Sequence, residues 1–139
     1  ASRGLVDVYK RQAVNTVNTY FSNLAEGRVP EALALLADDV IWHQPGANKF
    51  SGTHTGPGAV ASILGQMADD TSGTFIVAPT GPAMVNEDHV TVPLSFSGTK
   101  GSQSLDQPGI DLLIVRDGRI AEVYLFSSDP DAEDRFWGN

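Results

Sequence analysis

Apolar residues recur at helical spacing in the first half of the chain. Between about residues 7 and 26 they fall at i, i+3 and i+4 positions, which predicts an amphipathic helix that ends at Gly27. A second, short helix is predicted with Pro30 in its first turn and its end near Ala37, and a third is predicted to start at Pro57. Between these two helices, residues 40–43 predict a short strand, which the segment QPGAN closes.

The pattern changes to strands after about residue 74. Short apolar runs are separated by Asn-Glu-Asp and Asp-Gly turn signals, and VRDGRI, at residues 115–120, is the clearest hairpin. The strands near 111–116 and 120–127 are apolar almost throughout, which is typical of strands that are covered on both faces. Helices followed by antiparallel strands predict an α+β fold. The tail, residues 130–139, is expected to be one helical turn or an ordered arm.

Composition narrows the class of protein. The 139 residues are 41% hydrophobic and 19% charged, which is ordinary for one globular domain. No apolar run approaches the roughly 18–20 residues of a membrane span, so we expect a cytoplasmic protein without membrane association. The net charge of −8 argues against nucleic acid as a partner, and the absence of cysteine excludes disulfides and thiolate metal sites.

The N-terminus is expected to differ in origin from the rest of the sequence. The segment SRGLVDVYKRQ resembles translated sequencing-adapter or linker sequence of the kind found in some assembled environmental reads. We therefore expect residues 1–12 to be a non-native extension and residues 13–139 to form a single domain. The apolar spacing of the extension is nevertheless helical.

Several segments together carry a family resemblance. In chain order they are LLADDVIWHQPG, FSGTHTGPGAV, SGTF, NEDHVTV, VRDGRIAEVYLFSSD and RFWG. Their order and spacing resemble the SnoaL-like, ketosteroid-isomerase-like branch of the nuclear transport factor 2-like superfamily. The resemblance implies a cone-shaped α+β barrel, with three N-terminal helices on a strongly curved, mixed but mostly antiparallel sheet that encloses an apolar pocket.

The same resemblance implies a homodimer. The helices cover one face of the sheet, while Tyr124 and Phe126 share the other face, which a second copy would cover. Members of the superfamily include isomerases, polyketide cyclases, epoxide hydrolases and non-catalytic binding proteins. The function must therefore be argued from the residues of the pocket.

Two residues are candidates for polarising a carbonyl group. Tyr20 lies on the first helix where the resemblance places the oxyanion-hole tyrosine of ketosteroid isomerase; otherwise it is a core aromatic residue. Asp111 interrupts the apolar run GIDLLIV, where a carboxylate is costly unless it is paired or protonated. The resemblance aligns Asp111 with the neutral aspartic acid of the isomerase, and the alternative is a solvated strand end.

The catalytic base of the isomerase is absent from the end of the first strand. Gln44 occupies the slot before Pro45, and an amide cannot accept a proton at neutral pH. Strand alternation puts Trp42 and Gln44 on one face as candidate ligand-binding residues, and His43 on the other. His43 becomes a third catalytic candidate if the chain bulges at Pro45.

Three further residues complete the candidate pocket. Val123 and Leu125 are expected to form its apolar wall beside Trp42, an assignment that a single bulge would reverse. His54, in the segment GTHTG, is expected either at the mouth of the pocket or in a solvated turn.

A metal centre is not expected. The three histidines form no His-x-His or His-x-x-x-His pair, and His89 follows a hairpin tip. The acidic residues of the tail predict solvated helix ends and caps, because they form no calcium-loop pattern: Asp129, Asp131, Glu133 and Asp134.

Two classes of function remain open, and neither implies a cofactor. In the first, the protein is an isomerase-like or cyclase-like enzyme that acts on a small, hydrophobic, carbonyl-bearing molecule. Tyr20 and Asp111 would polarise the carbonyl, while one of residues 43, 44 and 54 would orient the substrate or move a proton. In the second, the protein is a non-catalytic binding or interaction module. Epoxide hydrolase is a distant third reading, since Asp129 has a counterpart there but HVTVPLSFSG lacks the required Arg and Asp.

Overall fold

Three helices accompany the first two strands, and a fourth helix follows the last strand. The computed structural model describes residues 3–139, without the side chain of Arg3. No helix among these residues is long and apolar enough to cross a bilayer. The elements are α1 Arg3–Ala25, α2 Val29–Leu33, β1 Leu36–Gln44, β2 Gly52–Thr55, α3 Pro57–Asp70, β3 Ile76–Pro79, β4 Met84–Asn86, β5 His89–Lys100, β6 Gln103–Arg116, β7 Arg119–Ser127 and α4 Pro130–Trp137.

The strands form one curved, mixed sheet. Their order is β2-β1-β7-β6-β5-β3, and β4 also pairs with β5. Strand β1 runs parallel to β7, and every other pair of the described strands is antiparallel. The sheet is cone-like and stays open, with α1 and α3 packed against it. The predicted α+β class and mostly antiparallel sheet are therefore confirmed.

Periodicity explains how the helices and strands bury their side chains. The stripe of α1 contributes Val17, Tyr20 and Phe21 to the core, and the helix ends before Gly27, whose φ of 75° an L side chain rarely adopts. Strand β5 alternates strictly, so that every second residue from Val90 faces inward.

Two details of the first half differ from the sequence prediction. Strand β1 begins at Leu36, four residues earlier than predicted, and α2 ends at Leu33. Leu36 pairs with Ile120 before the register shifts, so pairing with β7 extends the strand beyond its apolar run. Tertiary pairing here overrides the local pattern.

The predicted VRDGRI hairpin joins β6 to β7. Asp117 and Gly118 have φ values of 53° and 75°. Positive φ at both central residues is the requirement of a type I′ turn, whose twist matches that of the flanking strands. The ladder closes with the pair Arg116 and Arg119.

The tail forms a two-turn helix, which is longer than the predicted single turn. Asp129 caps α4 by accepting a hydrogen bond from the backbone N–H of Ala132 at 3.1 Å, and Pro130 follows at the start of the helix. The fully buried ring of Trp137 meets three aromatic rings edge-on, with centroids 4.9–5.2 Å away: Phe50, Phe75 and Phe136.

We expect Gly109→Ala to destabilise the fold because β7 approaches Gly109 closely. A Cβ atom there would lie 2.5 Å from the backbone oxygen of Phe126 and 3.0 Å from the ring of Phe96. Because backbone cannot rotate away, the free energy of unfolding should fall by about 1–3 kcal/mol in urea denaturation. The control is Gly65→Ala in α3, where nothing lies within 4 Å and stability should rise by about 0.5–1 kcal/mol. Equal effects of the two substitutions would contradict this packing.

Candidate functional site

An apolar cavity of about 80 Å³ lies between the helices and the concave face of the sheet. Side chains from α1, α3, α4 and five strands line it, and most of them are aliphatic or aromatic. No lysine, arginine or histidine is among the described lining residues. The polar ones are Tyr20, Gln44, Asp111, Ser127 and Glu133.

Asp111 presents an unpaired carboxyl group to this cavity. It lies on β6 directly between Val92 on β5 and Leu125 on β7, neither of which can pair with a carboxyl group. It forms no hydrogen bond or ion pair with any residue that the structure describes. Burial, and secondarily the nearby charge of Glu133, raise the pKa of Asp111 to about 8. Asp111 is therefore largely protonated at neutral pH and can donate a hydrogen bond.

Tyr20 provides a second donor beside Asp111. Its side chain is 2% exposed, and its hydroxyl has no hydrogen-bond partner among residues 3–139. Burial, followed by the charge of Asp111, raises the pKa of Tyr20 far above its usual value of 10. The phenol therefore keeps its proton throughout the physiological range.

Gln44 provides a third donor. The indole nitrogen of Trp42 donates a hydrogen bond to Oε1 of Gln44 at 2.9 Å. Because an indole N–H can only donate, this bond fixes the amide oxygen toward Trp42 and the NH₂ group away from it. That NH₂ group has no partner within the described part of the chain, although Gln44 is only 6% exposed and lines the cavity.

Glu133 is a lining residue that the sequence analysis placed among solvated caps, and that expectation is wrong. Glu133 is 5% exposed, and its carboxyl group accepts a hydrogen bond of 2.6 Å from the hydroxyl of Ser127, which also lines the cavity. Burial raises the pKa of Glu133, and the Ser127 hydrogen bond opposes that rise by stabilising the charged form.

A side-chain clamp positions Glu133. The amide of Gln107, on β6, accepts from the backbone N–H of Asp129 at 2.7 Å and donates to its carbonyl at 3.0 Å. On the other side of α4, Asp134 accepts from the backbone of Ala47 and from the side chain of Asn48, at 2.9 and 2.8 Å. The start of the short helix is therefore fixed to β6, and its middle is fixed to the loop after β1.

The structure brings five of the eight predicted site residues together at the cavity and leaves three outside it. His43 lies on the outer face of β1, where its Nε2 is 2.7 Å from Glu122 and its ring stacks on Tyr124 at 4.2 Å. No bulge at Pro45 turns His43 inward. The five lining residues are Tyr20, Trp42, Gln44, Asp111 and Leu125.

The other two predicted residues, His54 and Val123, are not among the lining residues. Nε2 of His54 is 2.8 Å from the carbonyl oxygen of Phe50, so this ring is used in a local hydrogen bond. Val123 faces inward and is 1% exposed, but it pairs with Trp42 deeper in the core. Its face was therefore predicted correctly, while its depth was not.

The sequence of the tail contains a pattern that indicates the burial of Glu133. Glu133, Phe136 and Trp137 are spaced i, i+3 and i+4, so they share one face of a helix. Two of the three are large aromatic residues, which indicates that this face is buried.

The described residues include no group of three His, Cys, Asp or Glu side chains that could hold a metal ion.

Comparison with known proteins agrees with this architecture. The sequence profile of the SnoaL-like domain matches residues 17–123. The chain belongs to the SnoaL-like domain family. A Xanthomonas campestris protein of unknown function with a cystatin-like fold is 39% identical; the match covers 91% of this chain and 98% of that one, with a TM-score of 0.87.

Other solved structures share the fold at lower identity. A proposed polyketide cyclase of Xanthomonas campestris pv. campestris is 22% identical, with a TM-score of 0.73 over 94% of this chain and 99% of that one. An epoxide hydrolase of M. tuberculosis is 19% identical, with a TM-score of 0.66 over 91% and 88%. At such identities the likeness concerns the fold, and the two activities differ.

The stability of Asp111→Asn relative to the wild-type SnoaL-like protein should increase as the pH rises. The folded-state pKa of Asp111 is about 8, above the value of about 3.9 in an unfolded chain. Ionisation of Asp111 therefore destabilises the fold from about pH 4 upward, and the penalty levels off above pH 8 or so. Asparagine carries no such penalty. The difference in the free energy of unfolding, variant minus wild type, should grow by at most about 1.4 kcal/mol per pH unit in that window.

Urea denaturation at several pH values measures this difference. Asp106→Asn, an exposed position on the same strand, controls for the loss of one negative charge. A difference for Asp111→Asn that stays constant from pH 4 to pH 8 would mean that the carboxyl group is not buried in the cavity.

Proposed function

We propose that this protein binds a small, hydrophobic, carbonyl-bearing molecule in its cavity and acts on it by acid–base chemistry of the isomerase or cyclase type. One observation carries the proposal: three donors without partners, from Tyr20, Gln44 and Asp111, line one apolar cavity. Buried donors are normally paired, so an acceptor on a ligand is the natural partner for them. A carbonyl oxygen accepts two hydrogen bonds and gains charge when it becomes an enolate.

The charge of the cavity favours a neutral ligand. The lining contains two carboxyl groups and no cation among the described residues. A ligand carboxylate or phosphate would therefore lack a counter-ion and would meet Asp111 and Glu133. The volume of about 80 Å³ is small against the roughly 300–1,000 Å³ of a drug-sized site. We infer that the carbonyl end of the ligand enters and that any larger part stays at the mouth.

A non-catalytic binding module is the second candidate. It is supported by Gln44, which occupies the position of the catalytic base in the isomerase that the sequence resembles. The side-chain oxygen of Gln44 accepts a hydrogen bond from the indole of Trp42 at 2.9 Å. The polyketide cyclase likeness favours the enzyme, because cyclases act on carbonyl compounds. Epoxide hydrolysis has less support, since no arginine lines the described part of the cavity.

Binding should perturb the indole N–H of Trp42, since it lines the cavity and is hydrogen-bonded to Gln44. We expect titration with cyclopentanone to shift this ¹H–¹⁵N signal while the signal of the fully buried Trp137, which is not among the lining residues, stays in place. Cyclopentanol, which lacks the carbonyl group, should bind more weakly. An indole signal of Trp42 that responds to no small ketone would contradict the proposed site.

Tyr20→Phe should weaken cyclopentanone binding by about five- to tenfold, because one donor to the carbonyl oxygen is lost at the cost of about 1 kcal/mol or slightly more. The matched control is Tyr9→Phe on the same helix, where the side chain is 60% exposed. The dissociation constants come from the same NMR titration. Equal affinity of the two variants would remove Tyr20 from the binding site.

We also propose a homodimer through the outer face of the sheet. Ile110 and Phe126 are direct neighbours there and are 47% and 55% exposed. Contiguous apolar surface of this kind is typical of an interface. We expect Ile110→Lys to convert a dimer into a monomer in light scattering at micromolar concentration, whereas Ile76→Lys on strand β3 should not. A monomeric wild-type protein would contradict the dimer.

A further inference from the structure

The proposed chemistry has donors for the carbonyl oxygen, but Gln44 supplies no base. Resting on that proposed function, we infer that Glu133 of the C-terminal helix is the catalytic base, which removes a proton from the carbon next to the carbonyl group of the ligand. Glu133 lies on α4 and supplies the second carboxyl group of the cavity. It is 5% exposed, and its carboxyl group lies beside Ser127.

The hydrogen bonds of the two carboxyl groups assign their roles. Glu133 accepts a hydrogen bond of 2.6 Å from Ser127, and an accepted bond stabilises the ionised form. Asp111 accepts none within the described residues, and its burial favours the protonated form. Two carboxyl groups in different surroundings are thereby separated into an acceptor and a donor of protons.

Electrostatics supports the same assignment. The charge of Glu133 contributes to the raised pKa of Asp111, so the two groups lie within range of each other. Asp111 in turn raises the pKa of Tyr20. The ionisable groups that line the cavity with Glu133 are thus Asp111 and Tyr20, while Asp134 adjoins it on its own helix and also raises the pKa of Glu133. Once Glu133 carries the negative charge, the other two keep their protons.

The step balances without a cofactor. The carboxylate of Glu133 takes the proton from the α-carbon, and the electron pair of the broken C–H bond forms the C=C bond of an enolate. The π electrons of the carbonyl group move to its oxygen, which Tyr20 and Asp111 stabilise by donating hydrogen bonds. Return of the proton to the same carbon regenerates the ketone. In a β,γ-unsaturated ketone, whose enolate is conjugated with a second C=C bond, return of the proton to the γ-carbon isomerises the substrate. The substrate class is therefore a neutral ketone or enone with an α-hydrogen.

The test is the exchange of the α-hydrogens of cyclopentanone in D₂O, followed by ¹H NMR. Wild-type protein should accelerate exchange over buffer, and Glu133→Gln should reduce the protein-catalysed rate by about 10²-fold or more. Glutamine can still accept the hydrogen bond from Ser127, and thermal unfolding checks that the variant folds. Asp131→Asn, exposed on the same helix, is the control and should keep the wild-type rate.

Ser127→Ala gives an independent readout. The hydroxyl of Ser127 lowers the pKa of Glu133, so its removal raises that pKa. The rate of exchange rises with pH as the base ionises, and this rising limb should move to higher pH in Ser127→Ala. An unchanged limb would mean that Glu133 is not the titrating base.

The outcomes separate the inference from the function on which it rests. If cyclopentanone binds and exchange is unchanged in Glu133→Gln, the base is another group and the binding proposal stands. If cyclopentanone binds and wild-type protein catalyses no exchange, Glu133 is not a base. If cyclopentanone does not bind to wild-type protein, the proposed function fails and the inference fails with it. Loss of exchange in Glu133→Gln with binding retained supports both.

Discussion

The docking of α4 against the open sheet is the constraint on which the cavity depends. Trp137 is fully buried against the rings of Phe50, Phe75 and Phe136, and it fixes the end of the helix in the core. The clamp of Gln107 fixes the start of the same helix. Between these two anchors, Glu133 is held against the cavity and is 5% exposed. The charge of Glu133, which this docking holds at the cavity, also raises the pKa of Asp111, so the position of α4 contributes to the electrostatics of the site.

The chemistry of the cavity follows from mismatched polarity. An apolar wall surrounds Asp111, Tyr20 and the amide of Gln44. The donor groups of these side chains have no acceptor partner within the described chain. Unpaired buried donors lower the stability of the ligand-free fold, and they stabilise a ligand that brings an acceptor. Binding sites are commonly less stable than the rest of a fold for this reason. Glu133 differs because Ser127 already satisfies one of its oxygens. The site therefore combines three unpaired hydrogen-bond donors with one carboxyl group, that of Glu133, which can accept a proton.

Simple periodicity predicted the residues that lie on regular elements. Alternation along β1 separated Trp42 and Gln44 from His43, and the apolar run of β6 marked Asp111 as a carboxyl group in apolar surroundings. Periodicity gives the face of a strand but not depth, so Val123 faces inward and yet lies behind the cavity wall. The spacing of Glu133, Phe136 and Trp137 places them on one helical face, but the depth of their burial comes from long-range packing of aromatic rings, so the tail was underestimated. His54 lies on a four-residue strand between glycines, where the sequence offered no face to choose.

A crystal structure with bound phenol, a planar mimic of an enolate, tests the central claim most directly. The account predicts that the phenol ring fills the apolar cavity, with its oxygen about 2.5–3.0 Å from both the hydroxyl of Tyr20 and the carboxyl group of Asp111. The ring edge beside that oxygen should face the carboxylate of Glu133. Ordered phenol whose oxygen points away from Tyr20 and Asp111, or an empty cavity at saturating phenol, would contradict the account.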